Sequence, residues 1–230
     1  MNCNHKILAV TFDVGGTLIE PWPSVGHVYA EVAARHCDRD FDPNLLHQRF
    51  VAAWKARPKI DYTAADWSAI VDATFDGLVA RKPSETFFPE LYERFGQPDA
   101  WRIYEDVLPT LAALAGRGFR LGVISNWDDR LRPLLKSLGL AGWFETCVVS
   151  SEVGASKPSP VPFRVAVAAL ELHAANILHV GDSAEMDLAG ARDAGLQAVR
   201  IAREAPVRAG DEVGSLCELV GMLPAPSGRR

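Results

Sequence analysis

The sequence predicts an α/β fold. Its core is a Rossmann-like, three-layer arrangement on a parallel sheet, with an all-helical domain inserted after the first strand. Three observations carry this. Short apolar runs alternate with helical patterns over the second half of the chain, the signature of strands joined by crossover helices. The first run, Ile7 to Phe12, is apolar apart from Thr11, as in a strand buried on both faces. About a hundred residues then separate that run from the next, far more than one crossover helix needs.

The elements follow in order. The first strand stops at Asp13, and Gly15 and Gly16 let the backbone turn at once. Val25, Val28, Tyr29 and Val32 fall on one face of a helix with Ser24 as its N-cap. Leu45, Leu46, Phe50 and Trp54 predict a second helix that ends near Pro58. Trp67, Ile70, Val71 and Phe75 predict a third, opened by Thr63. Phe88, Leu91, Tyr92 and Phe95 predict a fourth, stopped by Gly96. These aromatics at helical spacing form the core of a small bundle.

Asp106 to Gly118 reads as a helix with Pro109 in its first turn, followed by a strand over Phe119 to Ile124 that ends at Ser125-Asn126. Asp128 caps a helix with Leu131, Leu134, Leu135 and Leu138 inside, stopped by Gly139. Cys147 to Val149 form a third strand, and Ser159-Pro160 open the next helix. Ile177, Leu178 and Val180 form a fourth strand ending at Gly181-Asp182. A helix from Ala184 to Ala194 and a strand over Ala198, Val199 and Ile201 complete the core. The expected domains are residues 1–19 with 98–223 for the core, 20–97 for the helical insertion, and a disordered tail at 224–230, PAPSGRR.

Bulk properties exclude several function classes. The chain has 230 residues and a net charge of -5, with no basic run, so nucleic acid is not an expected partner. No stretch reaches transmembrane length, and the first apolar run is too short for a signal-peptide core. Cys3, Cys37, Cys147 and Cys217 make no CxxC pair and read as reduced thiols of a cytoplasmic protein. No membrane partner is expected, and the sequence fixes no oligomeric state.

The chemistry lies at the strand ends. Asp13, Ser125 and Asp182 converge on the carboxyl edge of the sheet, where open α/β sheets bind ligands. Lys157, in the loop SSEVGASKP, is a fourth candidate. Asp187 follows Asp182 in GDSAEMD, and carboxylates so close to Asp13 repel one another unless a cation lies between them. Oxygen-only ligands point to Mg²⁺.

This set resembles the haloacid dehalogenase superfamily. FDVGGTL, VISN, SKP and GDSAEMD stand in the family's order, and the resemblance covers essentially the whole chain. It implies that the helical insertion is the family's cap, placed over the carboxyl edge of the sheet. It implies Asp13 as the nucleophile that forms an aspartyl-phosphate, with Ser125, Asn126 and Lys157 binding the phosphoryl group. Mg²⁺ would be held by Asp13, the Gly15 carbonyl and Asp182, supported by Asp187, and Thr17 would order the turn. The implied substrate is a small phosphorylated metabolite. One position departs from the pattern. The family's phosphatases carry a second aspartate, their acid–base group, where this chain has Gly15. Glu20 or a residue of the cap is the candidate substitute.

The expected function is therefore a Mg²⁺-dependent phosphatase with reduced activity. A 2-haloacid dehalogenase, a phosphonate hydrolase that uses a lysine among Lys55, Lys59 and Lys82, and a binding protein on a phosphatase scaffold are the alternatives.

Overall fold

The computed structural model describes residues 6–57, 60–203, 207 and 210–225. Cys3, Pro58, Lys59 and the part of the expected tail beyond residue 225 lie outside the described residues. In chain order the strands are β1 (Ala9–Phe12), β2 (Ile19–Pro21), β3 (Trp101–Ile103), β4 (Arg120–Ser125), β5 (Thr146–Val149), β6 (Ile177–Gly181), β7 (Gln197–Ile201) and β8 (Glu212–Val213). Six of them form one sheet in the order β5-β4-β1-β6-β7-β8, with every pair parallel. Strands β1 and β6 are buried along their whole length, as they must be when helices cover both faces.

Register fixes where the chemistry lies. Phe12 pairs with Val123 of β4 and with Val180 of β6, so Asp13, Ser125 and Asp182 leave three neighbouring strands at one edge. The Asp13 amide continues the ladder by donating to the Val180 carbonyl at 2.8 Å.

The chain divides into two compact units. One comprises the chain up to Ile19 and from Ile103 onward; the other is Glu20–Arg102. The second unit holds helices α1 (Val25–Cys37), α2 (Pro43–Lys55), α3 (Ala64–Thr74) and α4 (Phe88–Arg94). Its core is Val28, Tyr29, Leu46, Val71, Phe75, Phe87 and Leu91 among others. Ser24 caps α1, and Thr63 with Asp66 forms a reciprocal capping box on α3. The unit extends past residue 97 because Ala100 is buried in its core and Trp101 packs against it. It is also not purely helical. Strands β2 and β3, absent from the sequence reading, pair with each other where the chain enters and leaves the unit. Leu45, expected in the core, is 41% exposed, and Leu46 alone of α2 is fully buried. Gly96 does not take a left-handed conformation; Phe95 caps α4 instead.

The other unit carries α5 (Val107–Gly116), α6 (Leu131–Ser137), α7 (Ser150–Val153), α8 (Pro160–Ala169), α9 (Gly190–Asp193) and α10 (Cys217–Met222). Phe163, Ala166 and Leu170 of α8 pack on Ala9, Ile124, Val148 and Ile177 of the sheet. Asp128 does not cap α6. Its carboxylate is taken by the Arg130 amide at 3.1 Å and by the Arg130 guanidinium at 2.6 and 2.8 Å, a stronger partner than a helix N–H. The helix expected from Ala184 begins as a π-helical turn, Ala184–Ala189, and continues as α9. Among the described residues no helix is long and apolar enough to cross a membrane.

Candidate functional site

Asp13 ends β1 and is buried. Its Oδ1 accepts from Ser125 Oγ, at the end of β4, and from Lys157 Nζ, both at 2.8 Å. Lys157 is buried as well and donates at 2.5 Å to Asp187 Oδ1. One ammonium thus bridges two carboxylates. Asp13, Asp182 and Asp187 bring carboxylate oxygens within 4.8 Å of one another. The sequence-predicted residues of the sheet edge are therefore brought together.

The turn after Asp13 explains how Asp182 comes so close. Gly16 has φ 72°, and a Cβ there would lie 2.6 Å from Asp182 Oδ2. Only glycine combines that backbone with that approach. Gly15 is different. It is not left-handed, and a Cβ on it would touch only the Trp127 ring, at 3.4 Å, an ordinary contact.

Asn126 is anchored to the loop that carries Lys157. Its amide Nδ2 donates to the Lys157 carbonyl at 3.0 Å, and its Oδ1 accepts from the Lys157 amide at 2.7 Å. It clamps the backbone that carries the lysine. The Thr17 hydroxyl is buried and has no hydrogen-bond partner among the described residues, while its carbonyl accepts from the Arg203 guanidinium. Glu20, weighed as a substitute acid, is engaged by Arg102.

Sequence reasoning missed three residues. His179 and Thr11 are fully buried side chains in strands β6 and β1. His179 Nε2 lies 3.1 Å from Asp187 Oδ1, and its Nδ1 lies 3.0 Å from Thr11 Oγ1. The available signal was a polar residue in each of two otherwise apolar strands. Trp127 was also passed over. Its amide donates to Ser150 Oγ at 3.0 Å, which fastens the loop after β4 to the start of α7.

Electrostatics follow from crowding charges in a dry place. Burial opposes a charge on Lys157, but Asp13 and Asp187 outweigh it and hold the ammonium well above the usual lysine range. Burial likewise opposes ionisation of Asp187, yet Lys157 and the His179 hydrogen bond keep it well below the ordinary value. Burial pushes Asp13 up against the pull of Lys157, with the Asp187 charge adding to the rise. Burial, aided by the Lys157 charge, lowers His179 and favours its neutral form. Asp182 stands at the exposed rim, yet desolvation by its neighbours and the charges of Asp13 and Asp187 push it up to about 7.

The donor set fits a hard divalent cation. All three ligands are oxygens, and a cation is the ordinary remedy for their mutual repulsion. Asp187 also serves Lys157, His179 and the Ser183 amide.

Residues 7–195 match the haloacid dehalogenase-like hydrolase family. The "Haloacid dehalogenase-like hydrolase domain-containing protein 3" of Bos taurus is 30% identical over 213 residues, covering 88% of this chain and 84% of that protein. A phosphoglycolate phosphatase of Yersinia pseudotuberculosis is 29% identical over 199 residues, 82% of this chain and 78% of the other. Among solved structures, a HAD phosphatase from Thermococcus onnurineus superimposes with TM-score 0.68 at 25% identity, covering 95% of this chain and 99% of its own. A 2-haloacid dehalogenase from Pseudomonas syringae does so with TM-score 0.61 at 26% identity, covering 93% and 96%.

Proposed function

From the haloacid dehalogenase-like hydrolase family, to which this chain belongs, we propose a Mg²⁺-dependent phosphatase that acts on a small phosphorylated metabolite through an aspartyl-phosphate. One observation carries the reading: Asp13 is held at 2.8 Å by both Ser125 Oγ and Lys157 Nζ, with two further carboxylates beside it. A phosphate dianion needs a cation to approach such a site, whereas a haloacid's carbon–halogen bond does not. The phosphatase names of two relatives support the same choice.

In this reading an Asp13 oxygen attacks phosphorus and the bond to the leaving oxygen breaks. Ser125 Oγ–H and the Lys157 ammonium hold the transferring group while Asn126 fixes the lysine's backbone. Water then attacks the phosphorus of the aspartyl-phosphate, which releases inorganic phosphate and restores Asp13. Asp13, Asp182 and the Gly15 carbonyl, with Asp187 behind them, would hold Mg²⁺, which would supply charge neutralisation. Gly15 supplies no proton to the leaving oxygen and no base to the water. The proton comes from solvent, so turnover is slow and favours leaving groups that depart as stable anions. The unit Glu20–Arg102 serves as the cap that selects the substrate.

The test is a substrate panel of aryl and alkyl phosphates and 2-haloacids, with and without Mg²⁺. Aryl phosphates should be the best substrates, and Asp13→Asn should abolish their turnover. The geometry at Gly15 allows a further step: Gly15→Asp should raise alkyl-phosphate turnover by up to about 10²-fold. Metal-independent release of halide would favour the dehalogenase reading. A folded, Mg²⁺-binding wild type that turns over no phosphate ester would contradict phosphatase function.

A further inference from the structure

Strand β6 carries a histidine in the middle of an apolar run, Ile177 to Gly181. His179 is fully buried, and the Phe163 ring meets it edge-on at 5.3 Å between centroids. Both ring nitrogens are engaged. Asp187 is ionised beside Lys157 and can only accept, so the His179 Nε2–H donates to it, at 3.1 Å. In the neutral ring Nδ1 then accepts from the hydroxyl of Thr11, at 3.0 Å. The tautomer is fixed by its two partners.

The same Asp187 oxygen that takes the His179 proton also receives Lys157 Nζ, and Lys157 Nζ reaches Asp13 at 2.8 Å. The other Asp187 oxygen is tied to the Ser183 amide at 3.0 Å. Asp187 itself sits on the π-helical turn Ala184–Ala189, which does not belong to the rigid sheet. His179 does, since it lies in β6, hydrogen-bonded to β1 on one side and β7 on the other. Burying three polar side chains where aliphatic ones would pack is unfavourable unless every bond is made, and here each is made.

We propose that His179 is a positioning residue. Through the chain Thr11–His179–Asp187–Lys157 it refers the lysine ammonium to the sheet, so that Nζ stands at a fixed place beside the Asp13 carboxylate as phosphoryl charge shifts. This rests on the phosphatase reading above.

A double-mutant cycle on the full chain tests it: wild type, His179→Leu, Lys157→Met and the double variant. Each is read by p-nitrophenyl phosphate turnover with Mg²⁺ and by calorimetric affinity for inorganic phosphate. If His179 acts through Lys157, His179→Leu alone lowers turnover about 10- to 100-fold. In the Lys157→Met background it should change nothing further. Equal losses in the two backgrounds would overturn the inference, because a packing role does not depend on the lysine. Should His179→Leu fail to fold, Thr11→Val, which removes the hydroxyl that donates to Nδ1, enters the same cycle under the same criterion. A wild type without turnover contradicts the phosphatase reading alone, and the cycle is then completed on phosphate affinity. A wild type that also fails to bind phosphate overturns both.

Discussion

The centre of the helical unit and the end of the sheet are both buried, but they are held in opposite ways. Around Phe75 the contacts are aromatic. Tyr29 stacks on it at 5.9 Å, and Phe41 and Phe87 meet it edge-on at 5.6 and 5.2 Å. Such packing stabilises through area, is tolerant of small rotations and stays indifferent to pH. Around Lys157 the contacts are charges and directional hydrogen bonds at 2.5–2.8 Å. There the desolvation of three ionised groups opposes folding, and only correct partners offset it. The first region is built for stability. The second holds its charges in place only through those partners.

That contrast can be broken or sharpened by experiment. The largest effect is expected in the aromatic core. Phe75→Ala should lower stability by about 3–5 kcal/mol, read as a fall in denaturation midpoint, while the kinetic constants of the remaining folded protein change little. A loss of turnover equal to the loss of folded protein fits this account; a change in kcat per folded molecule does not.

An intermediate effect should come from a charge cluster away from the nucleophile. Asp106 accepts from the Arg203 guanidinium, Ser215 Oγ and the Leu216 amide. Burial raises its carboxyl, but these partners outweigh burial and hold it below the ordinary 3.8. A depressed carboxylate contributes stability above its unfolded value, and that contribution is lost as pH falls through the folded one. Asp106→Asn should therefore reduce stability at pH 7, on the order of 1–2 kcal/mol, and flatten the acid limb below about pH 4. Parallel wild-type and variant stability curves over that limb would remove Asp106 from the account.

The smallest effect has the opposite sign. Asp182 faces the negative charges of Asp13 and Asp187. Without metal, Asp182→Asn should raise Tm at pH 7.5, on the order of 2 °C, because it removes repulsion. Mg²⁺ should stabilise the wild type and leave the variant unmoved. Equal Mg²⁺ shifts in the two proteins would take Asp182 out of the metal site.

Most of the scaffold was legible because its signals are local. An apolar run ending in Asp13, the Ser159-Pro160 start of α8 and the Thr63 start of α3 each follow from a few adjacent residues. What escaped is non-local or short. Strand β8 is two residues long, Glu212–Val213, too short for any periodicity, and exists because it lies beside Arg200 and Ile201. The pairing of β2 with β3 joins segments eighty-odd positions apart in the chain. Asp128 read as a cap because sequence does not reveal that Arg130 would win its carboxylate. At the site, strand ends gave Asp13, Ser125 and Asp182, and the loop SSEVGASKP and the run GDSAEMD gave Lys157 and Asp187. The His179 link stayed hidden, because a lone histidine within a strand resembles any buried polar residue until its two partners are seen.

The most direct measurement of the central claim is whether Asp13 becomes phosphorylated. Gly15 provides no base for the water step, so the intermediate should persist long enough to be caught. After brief incubation with p-nitrophenyl phosphate and Mg²⁺ and an acid quench, mass spectrometry should find one phosphoryl group on the peptide that contains Asp13, and none in Asp13→Asn. Release of nitrophenol by the wild type with no phosphoryl group on Asp13, or with one on another residue, would contradict the account.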